Sequence, residues 1–324
     1  MSNVETVAVI TEDAGVRVDR WFKRYYPSLK HGHLEKLLRT GQIRVDGGRV
    51  KASTRLAVDQ LVRIPPVGLK SIKLSNSNTQ RIKDSDREWL NNLIVYADDE
   101  IVALNKPPGI AVQGGTRVDR HIDGFLSGLV SGDRPRPKLV HRLDRDTSGV
   151  LLVALNAKVA RVLGETFRGR GVDKTYWALV AGVPSPREGR IESALMKKVG
   201  KDGYEKVVKD PVMGKLAVTE YRVIENVGRS ASWMSLHPQS GRTHQLRVHC
   251  ADLGTPIVGD RKYGGSSSVI DGLAETHKLH LHARSITLPH PAGGTLSISA
   301  PLPVTMRATW KFFGFEARAS GDPL

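Results

Sequence analysis

The chain reads as an α+β protein, a small α/β domain ahead of a larger sheet-based body. Three observations carry this. Strand-length runs of Val, Ile and Leu recur from Leu93 to Leu288. Apolar stripes at helical spacing dominate residues 18–38 and return after the central runs. Residues 68–86, rich in Ser, Asn, Lys and Asp, separate the two regions as a linker would. With 324 residues, 40% of them apolar, the chain can bury two or three domains. Strand order does not follow from these runs.

Charge narrows the partner. Lys+Arg number 49 against Asp+Glu 33, a net charge of +16. Such an excess concentrates polyanions, nucleic acid foremost. The single cysteine, Cys250, excludes an internal disulfide and a multi-cysteine zinc site. Residues 1–10 lack a signal-peptide pattern, and no apolar run approaches the roughly 20 residues that span a bilayer. The expectation is a cytoplasmic monomer with no membrane contact.

The domain boundaries expected are 14–67, a linker at 68–90, a catalytic body at 91–316 and a frayed tail at 317–324. In the small domain, Val18, Trp21, Phe22 and Tyr25 share a helix face, and Pro27 ends that helix. Leu34, Leu37 and Leu38 repeat the pattern up to Gly41. Residues 43–50 give two short strands about an Asp-Gly turn, and residues 61–64 another strand. Bases outnumber acids throughout this region.

The body opens with strands at 94–96 and 101–104. Asn105-Lys-Pro-Pro-Gly109 follows as a rigid turn, in which Lys106 reads as structural. Residues 150–155 are uncharged and read as a buried strand. Asn156 caps a helix with the stripe Val159, Val162, Leu163 and Phe167; Arg161, Arg168 and Arg170 lie off it. Strands are expected at 174–183, within 191–225, at 231–237 and at 279–288, with a Lys- and Gly-rich loop around 197–209. Leu246, His249, Cys250 and Leu253 mark one more helix, ended by Gly254.

The chemistry concentrates in His141-Arg-Leu-Asp-Arg-Asp-Thr-Ser-Gly149. Ordinary turn carboxylates would explain Asp144 and Asp146 equally well on composition alone. The string as a whole, however, resembles the signature of the RluA-type pseudouridine synthases, whose catalytic Asp falls on Asp144. Gly241-Arg-Thr-His-Gln-Leu-Arg-Val-His249 resembles that family's third motif, and Lys174-x-Tyr176 its second. The resemblance runs from Val16 to about Phe315, nearest to the RluC and RluD branch.

The resemblance implies a mixed, mostly antiparallel sheet and isomerisation of uridines in large-subunit ribosomal RNA, with no cofactor and no metal. It implies that Arg247 pairs with Asp144, that Tyr176 lies against the target base, that Arg142 enters the gap left by an everted base, and that Leu281 walls the pocket. His244, Gln245 and His249 read as scaffolding. The small domain resembles an S-four-type RNA-binding domain, in which Lys36, Arg39 and Arg44 would face RNA.

The residue types suit this chemistry. Breaking a ribose–uracil bond needs an ionised carboxylate beside the sugar, and burial opposes that charge unless a cation stands near. An everted base costs a few kcal/mol, which stacking on an aromatic ring offsets. One alternative is a non-catalytic RNA-binding or ribosome-assembly protein of the same fold, which would have no use for Asp144, Tyr176 and Arg247 together. Another is a histidine-dependent hydrolase or metalloenzyme built on His141, His244, His249, His280 and His282, but His244 and His249 are five residues apart and do not share a helix face, and His280 and His282, on one side of a strand, lack a nearby acidic ligand in sequence.

Overall fold

The structure is a computed structural model that describes residues 4–10, 13–66, 82–114, 118, 120–131, 134–169, 171–200, 205–274 and 277–316. The expected tail, Arg170 and residues 68–81 of the expected linker lie outside the described residues. The chain divides into two compact units, residues 1–80 and 81–324.

The first unit contains β1 (Glu5–Ala8), α1 (Val18–Tyr25), α2 (His31–Arg39), β2 (Arg44–Val45), β3 (Gly48–Arg49) and β4 (Leu61–Ile64), its sheet ordered β1-β4-β2-β3. The helices bury most of the stripes the spacing predicts: Val18, Trp21 and Phe22 on α1, where Tyr25 is only partly buried, and Leu34, Leu37 and Leu38 on α2. Asp46 and Gly47 both take positive φ, 49° and 76°, as a two-residue hairpin turn requires. The Asp46 carboxylate accepts from the amide of Leu61 at 2.8 Å, tying the hairpin to β4. β1 precedes the boundary expected for this domain; its residues are largely exposed and show no alternation.

The second unit contains α3 (Asp84–Asn91), β5 (Ile94–Ala97), β6 (Ile101–Lys106), α4 (Ile122–Phe125), β7 (Lys138–Leu139), β8 (Ser148–Ala154), α5 (Ala157–Arg168), β9 (Asp173–Ala181), β10 (Glu188–Val199), β11 (Glu205–Lys209), β12 (Lys215–Val227), β13 (Ala231–Pro238), α6 (Gln245–Asp252), β14 (Leu281–Pro289), β15 (Thr295–Ser299) and α7 (Val304–Phe313). Its strands form one sheet ordered β11-β10-β12-β13-β9-β14-β8-β6-β5, with β15 on β14 and β7 on β8. The pairings are antiparallel except β14 with β8, which is parallel. The fold is therefore α+β with a mostly antiparallel sheet, as expected.

Strand β8 is buried along its whole length, which is why its sequence shows no alternation. Val150, Leu152 and Ala154 pack with Val159 and Leu163 of α5, while Leu151 and Val153 face Leu90, Ile122 and Leu126 on the other side. Strand β9 divides likewise. Trp177 and Leu179 meet Met306 and Trp310 of α7, and Ala178 and Val180 meet Leu246 and Cys250 of α6.

Two expectations need correcting. Helix α3 occupies residues read as linker. Its polar composition hid a single buried anchor, Leu90, and the two first-turn acids, Asp84 and Asp86, that favour a helix N-terminus. The loop read around 197–209 is in large part strand: β10 and β11 pair Lys197 with Val207 and Leu195 with Lys209. Lysines on an exposed edge masked the alternation there.

Candidate active site

The loop from His141 to Thr147 leads into β8 and is held on both flanks. Lys106, fully buried, donates three hydrogen bonds from Nζ to the carbonyls of Pro107, Ile110 and Arg145, at 2.9, 3.0 and 2.9 Å. Burial pulls the Lys106 pKa down to about 7, against the raising effect of Asp146 and Asp144. The Gly109 amide also donates to Arg145 at 3.0 Å. Lys106 thus clamps the turn beside Asp144, in agreement with its structural reading. His141 Nε2 accepts from the Leu152 amide at 2.8 Å, and its ring stacks on Phe167 at 4.5 Å. Burial lowers its pKa to about 3, so it is neutral.

Where β8 begins, Gly149 takes φ +109° and lies against β14. A Cβ there would sit 2.1 Å from the Ala283 carbonyl oxygen. That close approach sets the Asp144 loop beside Leu281, at the start of β14. Ser148 Oγ and His282 Nδ1 share a hydrogen bond of 2.9 Å across the same parallel pair.

One cavity brings together residues more than 130 positions apart in the chain: Arg142, Asp144, Tyr176, Arg247 and Leu281 all line it, with residues 240–246 on its far wall. Leu281 is 3% exposed and belongs equally to the core. Burial, with Asp144 second, raises the pKa of the Tyr176 phenol, which stays protonated. Its ring is a neutral aromatic surface beside a carboxylate.

The expected pairing of Arg247 with Asp144 is corrected by the structure. Arg247 holds Asp260 at two points, Nε to Oδ2 at 2.8 Å and Nη2 to Oδ1 at 2.7 Å. The guanidinium also lies 5.1 Å from the centre of the Tyr263 ring. Burial works against the Arg247 charge, but the hydrogen bonds and charge of Asp260 outweigh it and raise its pKa. Arg247 lines the same cavity as Asp144 and acts on it through space. Asp260 takes the fork because residues 259–263 fold back under α6, a contact that sequence spacing does not encode.

Among the described residues, His244 comes within ion-pair reach of Asp144, with Nε2 3.9 Å from Oδ2. In the sequence His244 reads as scaffolding, and nothing there signals this contact or those of Asp260 and Tyr263. Of the other two motif residues read so, Gln245 Nε2 donates to Val218 O and His249 bonds Ser193 and Thr219, which is scaffolding. His280 and His282 likewise bond Thr309, Ser148 and backbone carbonyls, which leaves little for a histidine-based metal centre.

Lys36, Arg39 and Arg44 lie in the first unit. Lys36 and Arg39 are exposed on α2. Arg44 is turned onto its own hairpin, donating to the carbonyls of Gly41 and Gly47 at 3.2 and 3.1 Å.

The pattern of the RNA pseudouridylate synthase family matches residues 100–252. Ribosomal large subunit pseudouridine synthase C of Escherichia coli is 34% identical, over 93% of this chain and 93% of that protein. RNA pseudouridine synthase 4, mitochondrial, of Arabidopsis thaliana is 34% identical, over 90% of this chain and 74% of that one. Among solved structures, human RNA pseudouridylate synthase domain containing 4 superposes with a TM-score of 0.61 at 29% identity, covering 71% of this chain and 96% of that one.

Proposed function

The chain belongs to the RNA pseudouridylate synthase family and is an isomerase; we propose that it acts on uridines of large-subunit ribosomal RNA and that Asp144 is the reacting group. The reaction breaks the bond from ribose C1′ to uracil N1, turns the base and joins C1′ to C5; C5 loses a proton and N1 takes one up, so no atom is gained or lost. The observation that carries this reading is the convergence of Asp144, Tyr176, Arg142, Arg247 and Leu281 on one cavity.

Each residue then has a task. Asp144 acts on the sugar. Tyr176 offers the everted base a flat apolar contact, and Leu281 closes the wall beside it. Arg142, exposed at the rim, fills the gap the base leaves. Arg247, fixed by Asp260, supplies a positive field that favours the ionised carboxylate. Lys36 and Arg39 of the first unit contact RNA phosphates. Arg44, held against the carbonyls of Gly41 and Gly47, adds positive charge beside α2 for the same RNA. The enzyme works as a monomer in the cytoplasm.

Asp144→Asn tests the assignment. Tritium release from ribosomal RNA labelled at uridine C5 should fall below detection while RNA affinity at matched salt is retained. Substantial release by the variant would remove Asp144 from its role.

A further inference from the structure

We propose that His244 is a positioning residue for Asp144, its imidazole fixed in the tautomer that presents Nε2–H to the Asp144 carboxylate. The inference rests on the reading of Asp144 as the reacting group. It assigns a task to a residue whose motif position alone reads as scaffolding.

Three observations carry it. His244 has φ +53°, a left-handed conformation, immediately before α6. A non-glycine residue keeps such a backbone only where its surroundings impose it, and such residues cluster at functional sites. The second observation is a chain of donors. The Val207 amide donates to the Tyr263 hydroxyl oxygen at 3.1 Å, and that hydroxyl lies 2.7 Å from His244 Nδ1. An oxygen already accepting from an amide is well placed to donate its own proton. Delivered to Nδ1, that donation leaves the single proton of a neutral imidazole on Nε2. The third is direction. Nε2 lies 3.9 Å from Asp144 Oδ2. That exceeds a hydrogen bond, and catalytic contacts commonly tighten to one only with substrate in place.

The surroundings keep the ring neutral. Asp144 faces it from the loop before β8, Arg247 from α6, and Asp260 and Lys262 from residues 259–263. Lys197, Glu205 and Lys206 of the β10–β11 hairpin line the adjoining groove. Burial, Arg247 and Lys262 oppose protonation, and together they outweigh Asp144 and Asp260, so the His244 pKa is lowered. A neutral N–H orients a carboxylate without cancelling the charge that must act on the sugar.

The test is a mutational cycle read by single-turnover tritium release from ribosomal RNA labelled at uridine C5, with RNA affinity measured alongside. H244F should slow release about tenfold to a hundredfold, the cost of a misplaced reacting group, with affinity unchanged within about twofold. H244Q keeps an N–H of similar reach and should recover most of the rate. Y263F should lose less than H244F, and H244F/Y263F no more than H244F alone, because the tyrosine acts through the histidine. Wild-type turnover by H244F, multiplying losses in the double variant, or a loss confined to affinity would each overturn the proposal. If H244F does not fold, the comparison is H244Q with H244Q/Y263F. A glutamine has no tautomer to fix, so Y263F should cost nothing there, and a full Y263F loss in that background overturns the idea. An active D144N would instead sink the reading of Asp144, while an inactive D144N beside a fully active H244F sinks only the role of His244.

Discussion

The Arg247 side chain is 11% exposed and that of its partner, Asp260, 1%, so neither charge is well solvated. The pair holds together by its two-point geometry, which suits a guanidinium and would not suit a lysine. Removing one partner strands the other charge in a poorly hydrated site, which costs about 3–5 kcal/mol. Asp260→Ala should therefore lower the free energy of unfolding by about that amount, measured by urea denaturation near pH 7. Asp260→Asn, which keeps an acceptor and the shape, should cost less. A loss below about 1 kcal/mol for the alanine variant would mark the pair as no stronger than an exposed one.

Strands β8 and β14 carry the two sides of the site, and they meet at Gly149. A side chain there collides with the backbone of Ala283 and is strained by the positive φ. Gly149→Ala should destabilise by on the order of 3 kcal/mol, and should reduce turnover even where the protein is fully folded, because the loop bearing Asp144 must shift. Gly228→Ala is the control. Its φ is +52° with nothing within 4 Å of the added carbon, so it carries strain without collision and should cost only about 1 kcal/mol. Equal losses in the two variants would argue against the close-packed strand pair. At this scale the sequence was informative where one period ruled. The stripes of α1, α2 and α5 and the uncharged run of β8 were legible because burial on one face, or on two, writes directly into residue order. Helix α3 was not, since one leucine anchors it, and α7, with Met306 and Trp310 buried, was not foreseen. The partner of Arg247 was not legible either: a chain reversal after α6 decides it, and reversal geometry leaves no periodic trace. His244 lay within a legible motif, but its task depends on a phenol nineteen residues away.

The second unit as a whole is tied together in part by neutral histidines, His249 and His282 fully buried and His141 partly so. His141, His249 and His282 hold strands and helices together by hydrogen bonds that use the uncharged ring. Burial is the leading cause in each case, and it lowers their pKa values to about 3, about 4 and about 4. In an unfolded chain the same rings titrate near 6.5. Above about pH 6.5 both states hold them neutral, and the full stability is present. As pH falls from there toward about 4, the unfolded chain takes up protons that the folded one refuses, so stability drops. Lys106 acts with the same sign at higher pH, since its pKa falls from 10.5 to about 7 on folding. Most carboxylates titrate only near pH 4, so a decline that begins above pH 5 points to the histidines. Urea midpoints at pH 7.5, 6 and 5 should fall steadily. His282→Gln, which sacrifices the bonds to Ser148 and the Ala300 carbonyl but cannot take up a proton, should be less stable than wild type at pH 7.5 and should lose less between pH 7.5 and 5. A wild-type midpoint that stays flat down to pH 5 would show that the buried rings are not what limits this unit in acid.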